Sequence, residues 1–213
     1  MADDGSGKRT AKYHSPLRAR QAAETRRSVI DAALTLFQRH GWAATTLPMI
    51  AKGADVSVDT IYATFGTKSA LLLAAFEVAL VGDDEDAAMA DRPDFARLGH
   101  GRRWERLREG VRYTMDVYER SVPIIATLRE AAASDEVARA RLAQYDQDRR
   151  DLIAAGMALI LGSGTSDDVV DAIYALVSPE VYTHLIEGYG WTSARAEDWF
   201  VDMAKVAITR AQR

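Results

Sequence analysis

Apolar positions recur at helical spacing along most of this chain, and the sharpest local pattern lies between Thr46 and Lys68. Leu47, Ile50 and Ala51 share one face of a short helix, with Thr46 placed to accept from its free N–H groups and Pro48 in its first turn, where a missing N–H costs little. Ala54-Asp55-Val56 then makes a turn, and Ser57 is suited to cap a second helix whose Ile61 and Phe65, four apart, point inward. Gly66 stops that helix, and Thr67 caps a third that carries Leu71, Leu72, Ala75, Phe76 and Ala79 inward. Two short helices crossing at a tight turn form a helix-turn-helix. The outward positions of its second helix are Val58, Asp59, Thr60, Tyr62, Ala63 and Thr64.

Beyond Phe76 the helical spacing continues without a local motif. Asp83 to Asp86 and Asp91 to Pro93 interrupt it and read as a solvated connector. A helix from 102 to 121 would line up Trp104, Leu107, Val111, Met115 and Tyr118, and Pro123 would start a shorter one with Ile124, Ile125 and Leu128 inward and Arg129 and Glu130 beside them. The segment 136–161 brings Leu142, Tyr145, Leu152, Ile153, Met157 and Ile160 to one side. Two last segments, 166–188 and 193–212, carry more apolar surface than terminal helices need for packing on the body, which predicts a partner for them. In the first of these Pro179 should kink the helix rather than end it, since apolar spacing resumes at Val181.

Composition fits a helical protein of one or two cores: 213 residues, 48% hydrophobic, with no apolar run of the about 18 residues that a membrane span needs. The first sixteen residues lack the apolar segment of a secretory signal, so a cytoplasmic location is expected. Without Cys there are no disulfides or thiolate metal sites, and His14, His40, His100 and His184 form no local ligand cluster. The net charge of −4 hides an asymmetry that changes the picture. Residues 1–72 hold ten Lys and Arg against six Asp and Glu, and the remainder seventeen against twenty-five. The basic half is the one with the helix-turn-helix, which suits a polyanionic partner there and keeps the acidic body away from it. Lys8, Arg9, Lys12, Arg18 and Arg20 fall before the first expected helix, as a flexible arm over 1–22 that either stays solvated or orders on phosphates.

In order, the segments VIDAALTLFQRHGW at 29–42, TTLPMIAKGADVS at 45–57 and TIYATFGTKSALL at 60–72 resemble the DNA-binding domain of the TetR family of bacterial transcriptional regulators. The resemblance covers about a third of the chain. It implies an all-α fold, with a helix-turn-helix DNA-binding domain at 23–80 and a helical bundle for ligand binding and dimerisation at 81–213. Asp55 departs from the Gly usual in that turn, but Asp tolerates the left-handed conformation better than most residues. The resemblance further implies that Thr46, Thr60, Tyr62 and Lys68 hold phosphates of double-stranded operator DNA. With Ser57 at its start, the second helix has no Arg, Lys, Asn or Gln before Phe65, so base reading is left to Val58, Ala63 and Thr64 and to groove shape. Asp59 either lowers affinity or faces a cytosine amino group. By the same resemblance, the last two helices would pair with their copies in a homodimer. The bundle would enclose a small-molecule pocket near Trp104, Met115, Tyr118, Leu128, Arg129, Tyr145 and Met157, suited to an apolar or aromatic effector.

No catalytic constellation competes with this reading. Leu161-Gly162-Ser163-Gly164-Thr165 is glycine-rich but lacks the strand and the Lys-Ser/Thr pair of a phosphate loop, and it reads as a connection between helices. No enzyme activity, cofactor or metal is therefore expected. The rival is a helical small-molecule-binding or interaction module in which the N-terminal motif serves folding and does not read DNA.

Overall fold

A computed structural model describes residues 16–83 and 88–211. Within them every regular element is helical: α1 (Pro16–Ala44), α2 (Leu47–Gly53), α3 (Val58–Phe65), α4 (Lys68–Val81), α5 (Pro93–Ala96), α6 (Arg103–Ala132), α7 (Glu136–Leu161), α8 (Asp167–Leu176), α9 (Pro179–Thr183) and α10 (Ser193–Ala211). Single tight turns at Met89–Asp91 and Arg97–Gly99 flank α5, so the acidic connector is partly wound into helical turns. No single helix among the described residues is long and apolar enough to cross a membrane.

Local chemistry at the N-terminal end matches the pattern. Thr46, Ser57 and Thr67 each accept from a backbone N–H three residues on, at Met49, Thr60 and Ala70, and so open α2, α3 and α4. Asp55 takes the left-handed conformation at φ 55°, and Gly66 closes α3 at φ 77°. Ile30, Ala33 and Phe37 of α1 meet Ile50, Ile61, Leu71, Leu72, Ala75 and Phe76 in one buried cluster. Burying such side chains stabilises by roughly 1.5–3 kcal/mol each, enough to hold three short helices that would not persist alone.

α1 begins at Pro16, so Arg18 and Arg20 are helical and do not belong to an arm; Lys8, Arg9 and Lys12 lie outside the described residues. It is also broken near its end, where Gly41 turns to φ 72°, ψ −174°.

α6 is the central element, packing on α1, α4, α7, α9 and α10. Here the expected pair of helices is a single one: Pro123 sits inside α6 and starts nothing. Its missing N–H leaves the helix one bond short, but Ile124, Ile125 and Leu128 behind it are buried at 0–1% exposure. Apolar burial on both sides of the proline outweighs the local break. Pro179 departs from expectation in the opposite direction. α8 ends at Leu176, Val177 leaves the helical region, and extended Ser178 caps α9 with Pro179 in its first turn. The residue before a proline favours extended backbone, and here Ser178 also supplies the cap. A wider helical turn, His184–Gly188, continues α9 towards α10.

Candidate nucleic-acid interface and interior cavity

α3 is held by its buried side through Ile61, with Val58, Thr60 and Phe65 half-buried at the edges, and presents Asp59, Tyr62, Ala63 and Thr64 outward. Tyr62 is 54% exposed, an unusual state for a large aromatic ring. The hydroxyls on this face are partly committed. Ser57 Oγ lies 2.8 Å from Thr60 Oγ1 and accepts the Thr60 N–H, and Thr64 Oγ1 donates to Thr60 O at 2.8 Å. Thr46 is exposed at the start of α2, where its Oγ1 accepts from Met49. Val58 is the least available of the expected base-reading residues, since it packs against the core.

Lys68, to which the resemblance gives a phosphate contact, also has a partner within the protein. Its ammonium lies 4.0 Å over the Trp42 ring and donates to the Trp42 carbonyl. Burial lowers its pKa, with Glu130 opposing. The same corner draws in α6. The Glu130 carboxylate accepts the N–H of Trp42 at 2.8 Å and of Ala43 at 3.0 Å, both left free by the break at Gly41. Thr127 donates to Phe37 O at 3.2 Å, and buried Thr45 donates to Leu36 O and Gly41 O at 3.1 and 2.7 Å. A fourth link joins Ser69 at the start of α4 to Asp135 before α7. The helix-turn-helix is thus tied to α6 and α7 by side chains, and the amino-acid pattern signalled this only through Gly41, a helix breaker within an apolar repeat.

The body encloses a cavity of about 740 Å³ between α4, α6 and α7, bounded also by the 88–98 segment and by α8. That size suits a drug-sized molecule. Of the residues expected at a pocket, Tyr118, Tyr145 and Met157 line it. Trp104 does not: it is 40% exposed near the start of α6, under the guanidinium of Arg103. Met115 and Leu128 are buried in the core away from the cavity, and Arg129 pairs with Glu180. The unforeseen lining residues include Phe95 and Leu98 from the short turns and the charged Arg141, Asp148, Arg149 and Asp151 of α7, with Glu77 of α4. Arg149 lies on the side of α7 that carries Tyr145 and Leu152, and a charged residue at such a position is the one signal that could have found it.

At the inner end of the cavity polar groups converge. Tyr118 Oη and Arg149 Nη1 both donate to Val177 O, at 2.8 and 3.1 Å, and Arg149 Nη1 reaches Tyr174 O at 3.0 Å. The Tyr174 ring covers the guanidinium at 3.6 Å. Burial pushes the Tyr118 phenol up to about 12 and raises that of Tyr145 further, so both are neutral near pH 7.

Residues 29–75 match the family described as bacterial regulatory proteins, tetR family. No curated protein matches the sequence. Among solved structures, the chain is similar to a TetR-like transcriptional regulator from Rhodococcus sp. RHA1, at 20% identity over 84% of this chain and 93% of that one, with a TM-score of 0.61. A TetR family transcription regulator from Marinobacter aquaeolei VT8 gives 19% identity, 90% and 98% coverage and a TM-score of 0.60. The multidrug binding protein EbrR, complexed with imidazole, gives 17%, 98% and 97%, and 0.56. At these identities the likeness is one of fold.

Proposed function

We infer that this chain, which carries the DNA-binding domain of the tetR-family bacterial regulators on a TetR-like fold, acts as a sequence-specific transcriptional regulator that binds a palindromic operator as a homodimer and represses until a small molecule releases it. The observation that carries the reading is the exposed face of α3. A capped helix, fixed by Ile61 to its own small core, holds Tyr62, Ala63 and Thr64 outward from a domain that follows a basic segment, residues 1–22, with five Lys and Arg against two Asp. Phosphates are held by Thr46, Ser57, Thr60 and Tyr62, while Ala63 and Thr64 meet base edges and groove shape supplies the rest. Lys68 serves mainly to hold Trp42, and adds its charge at the rim.

Pairing through α10 and the segment before it has support in the surface. Met203 and Val206 are 36% and 47% exposed on α10, and Tyr189 is 68% exposed ahead of it. Such a stripe at helical spacing is suited to a copy of itself across a two-fold axis. A small-molecule effector, resident in the cavity of about 740 Å³, would act on α6, the helix that both lines the cavity and grips the end of α1. EbrR, of similar fold, binds imidazole, which supports small-molecule binding by this architecture. The location would be cytoplasmic and no reaction would be catalysed.

Selection of bound sequences from a random duplex pool, at near-physiological salt, tests the reading. The expected product is a palindrome whose half-sites are about one helical turn apart or more. A pool that stays random overturns it in favour of a helical ligand-binding module.

A further inference from the structure

The charges around the cavity are unevenly balanced. At its mouth the carboxylate of Glu77 is taken by Arg141 at 2.6 Å, Asp148 meets Arg141 and Gln144, and Asp151 meets Gln147. Glu180 is taken by Arg129. Arg149 is the exception. Half-buried on the cavity wall, it has no carboxylate within ion-pair distance among the described residues, and its Nε is buried with no hydrogen-bond partner. Its two contacts to α8 carbonyls explain Nη1 as a cap for that helix but leave Nε unused. Glu180, held by Arg129, acts on this guanidinium only through space, and a guanidinium drawn from water without a directly paired anion is costly, as is an orphaned N–H.

Two further groups share this end. Tyr145 has its ring edge-on to Phe76 at 5.4 Å, and its hydroxyl makes no hydrogen bond among the described residues. It lies within electrostatic reach of both Tyr118 and Arg149. Tyr118 donates to Val177 and lies beside the Arg149 guanidinium. The remaining wall, including Phe95, Leu98 and Met157, is mostly apolar. A cation, a phenol donor and a long apolar wall together make a site for an amphipathic anion.

We propose that the cavity binds a carboxylate-headed apolar molecule, its head on Arg149 and the Tyr145 hydroxyl and its tail along Phe95, Leu98 and Met157. The proposal rests on the reading of this cavity as an effector site and names the chemical class of the effector. Charge-assisted bonds to a planar guanidinium favour a carboxylate over an alcohol of the same length, and a guanidinium with no direct ion pair disfavours an ammonium head.

Isothermal titration of the purified full-length chain with decanoate, decanol and decyltrimethylammonium decides it. Decanoate is expected to bind about tenfold or more tightly than decanol, with the ammonium weakest. Arg149→Gln, which keeps a donor for the α8 carbonyls, should bring decanoate down to the level of decanol. Tyr145→Phe should weaken decanoate several-fold and leave decanol unchanged, and it decides alone if Arg149→Gln does not fold. Equal binding of all three heads, preference for the ammonium, no binding of decanoate, or a carboxylate preference that survives the folded variants would overturn the proposal. Because no DNA enters the titration, a chain that selects an operator yet ignores decanoate would refute this inference alone.

Discussion

Glu130, in the last turn of α6, accepts the backbone N–H of Trp42 at 2.8 Å from across a break in α1. The two residues belong to different functional halves: α6 walls the cavity, and Trp42 precedes the helix-turn-helix. A displacement of α6 must therefore either move the end of α1 or break these bonds, and Lys68, seated on the Trp42 ring, carries the same movement to the start of α4.

Acid should weaken this connection. The N–H groups of Ala43 and Trp42 hold the Glu130 carboxyl below its ordinary range, and the Ser69 hydroxyl followed by the Ala138 N–H does the same for Asp135. Both pKa values are depressed in the folded state, so their stabilisation is complete above the unfolded values of about 4 and is lost as pH falls through the folded ones. Thermal midpoints should hold from pH 7 to 5 and drop below pH 4. Glu130→Gln and Asp135→Asn should each lower the midpoint at pH 7 and flatten the acid limb. An acid limb unchanged in both variants would remove these carboxylates as its cause.

Gly41→Ala should be destabilising by about 1–2 kcal/mol, because it forces a side chain into the left-handed region. Its Cβ would also stand 2.5 Å from Glu130 Oε2, displacing the carboxylate from Trp42. Urea denaturation should show the midpoint fall with little change of slope, and Trp42 fluorescence should report the altered junction. A wild-type midpoint would mean that the break in α1 is not needed.

Tyr62 and Lys68 should separate in their effects. The Tyr62 ring is exposed, so Tyr62→Phe should leave the melting temperature unchanged while weakening operator and random DNA alike by several-fold. Lys68→Ala removes a donor to Trp42 O and the charge over its ring, so it should lower the melting temperature by a few degrees as well as weaken DNA. Mobility shifts at two salt concentrations, beside melts of each variant, check both. A destabilised Tyr62→Phe, or a Lys68→Ala that affects DNA alone, would reverse the roles of the two residues.

The parts of this architecture legible in the amino-acid order are those with local causes. Thr46, Ser57 and Thr67 cap the helices they precede, Asp55 takes the left-handed turn, and the pattern at 136–161 coincides with α7. Pro123 and Pro179 misled because the backbone weighs a proline against what surrounds it. Burial of Ile124, Ile125 and Leu128 carries α6 through one, whereas Ser178 offers the other a cap. The cavity was only partly legible. Tyr118, Tyr145 and Met157 share an apolar face that any core helix would show, while the position of Arg149 depends on α8, a partner distant in sequence. Grip of α1 by Glu130 spans 88 residues; the local pattern offers Gly41 as a break in the helix but does not say which residue fills it.

Gly156 gives a way to change the cavity without touching its polar end. It lies inside α7, ahead of its last turn, where glycine costs roughly 0.5–1 kcal/mol relative to alanine. A Cβ added there would meet Leu98 Cδ1 at 3.7 Å and the Phe95 ring at 3.8 Å, ordinary contact distances. Gly156→Ala should therefore raise stability by about 0.5–1 kcal/mol and shorten the space available to a ligand tail. Denaturant titration checks the first effect, and the second would appear as weaker binding of long decanoate than of a shorter carboxylate. Destabilisation would show that Phe95 and Leu98 are less free to accept a methyl than these distances imply.

The exposed stripe on α10 gives the last test. Met203 and Val206 project on a helix whose opposite side is fully buried through Phe200, Ala204 and Ile208, so a charge at 206 cannot disturb the core. If α10 pairs with its copy, Val206→Glu places two like charges across the two-fold axis and removes apolar area from both sides at once. Sedimentation should then show the wild-type chain as a dimer and the variant as a monomer at micromolar concentration, with an unchanged helical spectrum. The variant should also lose most of its affinity for a full palindrome while binding a half-site weakly, because each α3 would then bind alone. A dimer that survives Val206→Glu and a paired Met203→Arg would move the interface away from this face of α10.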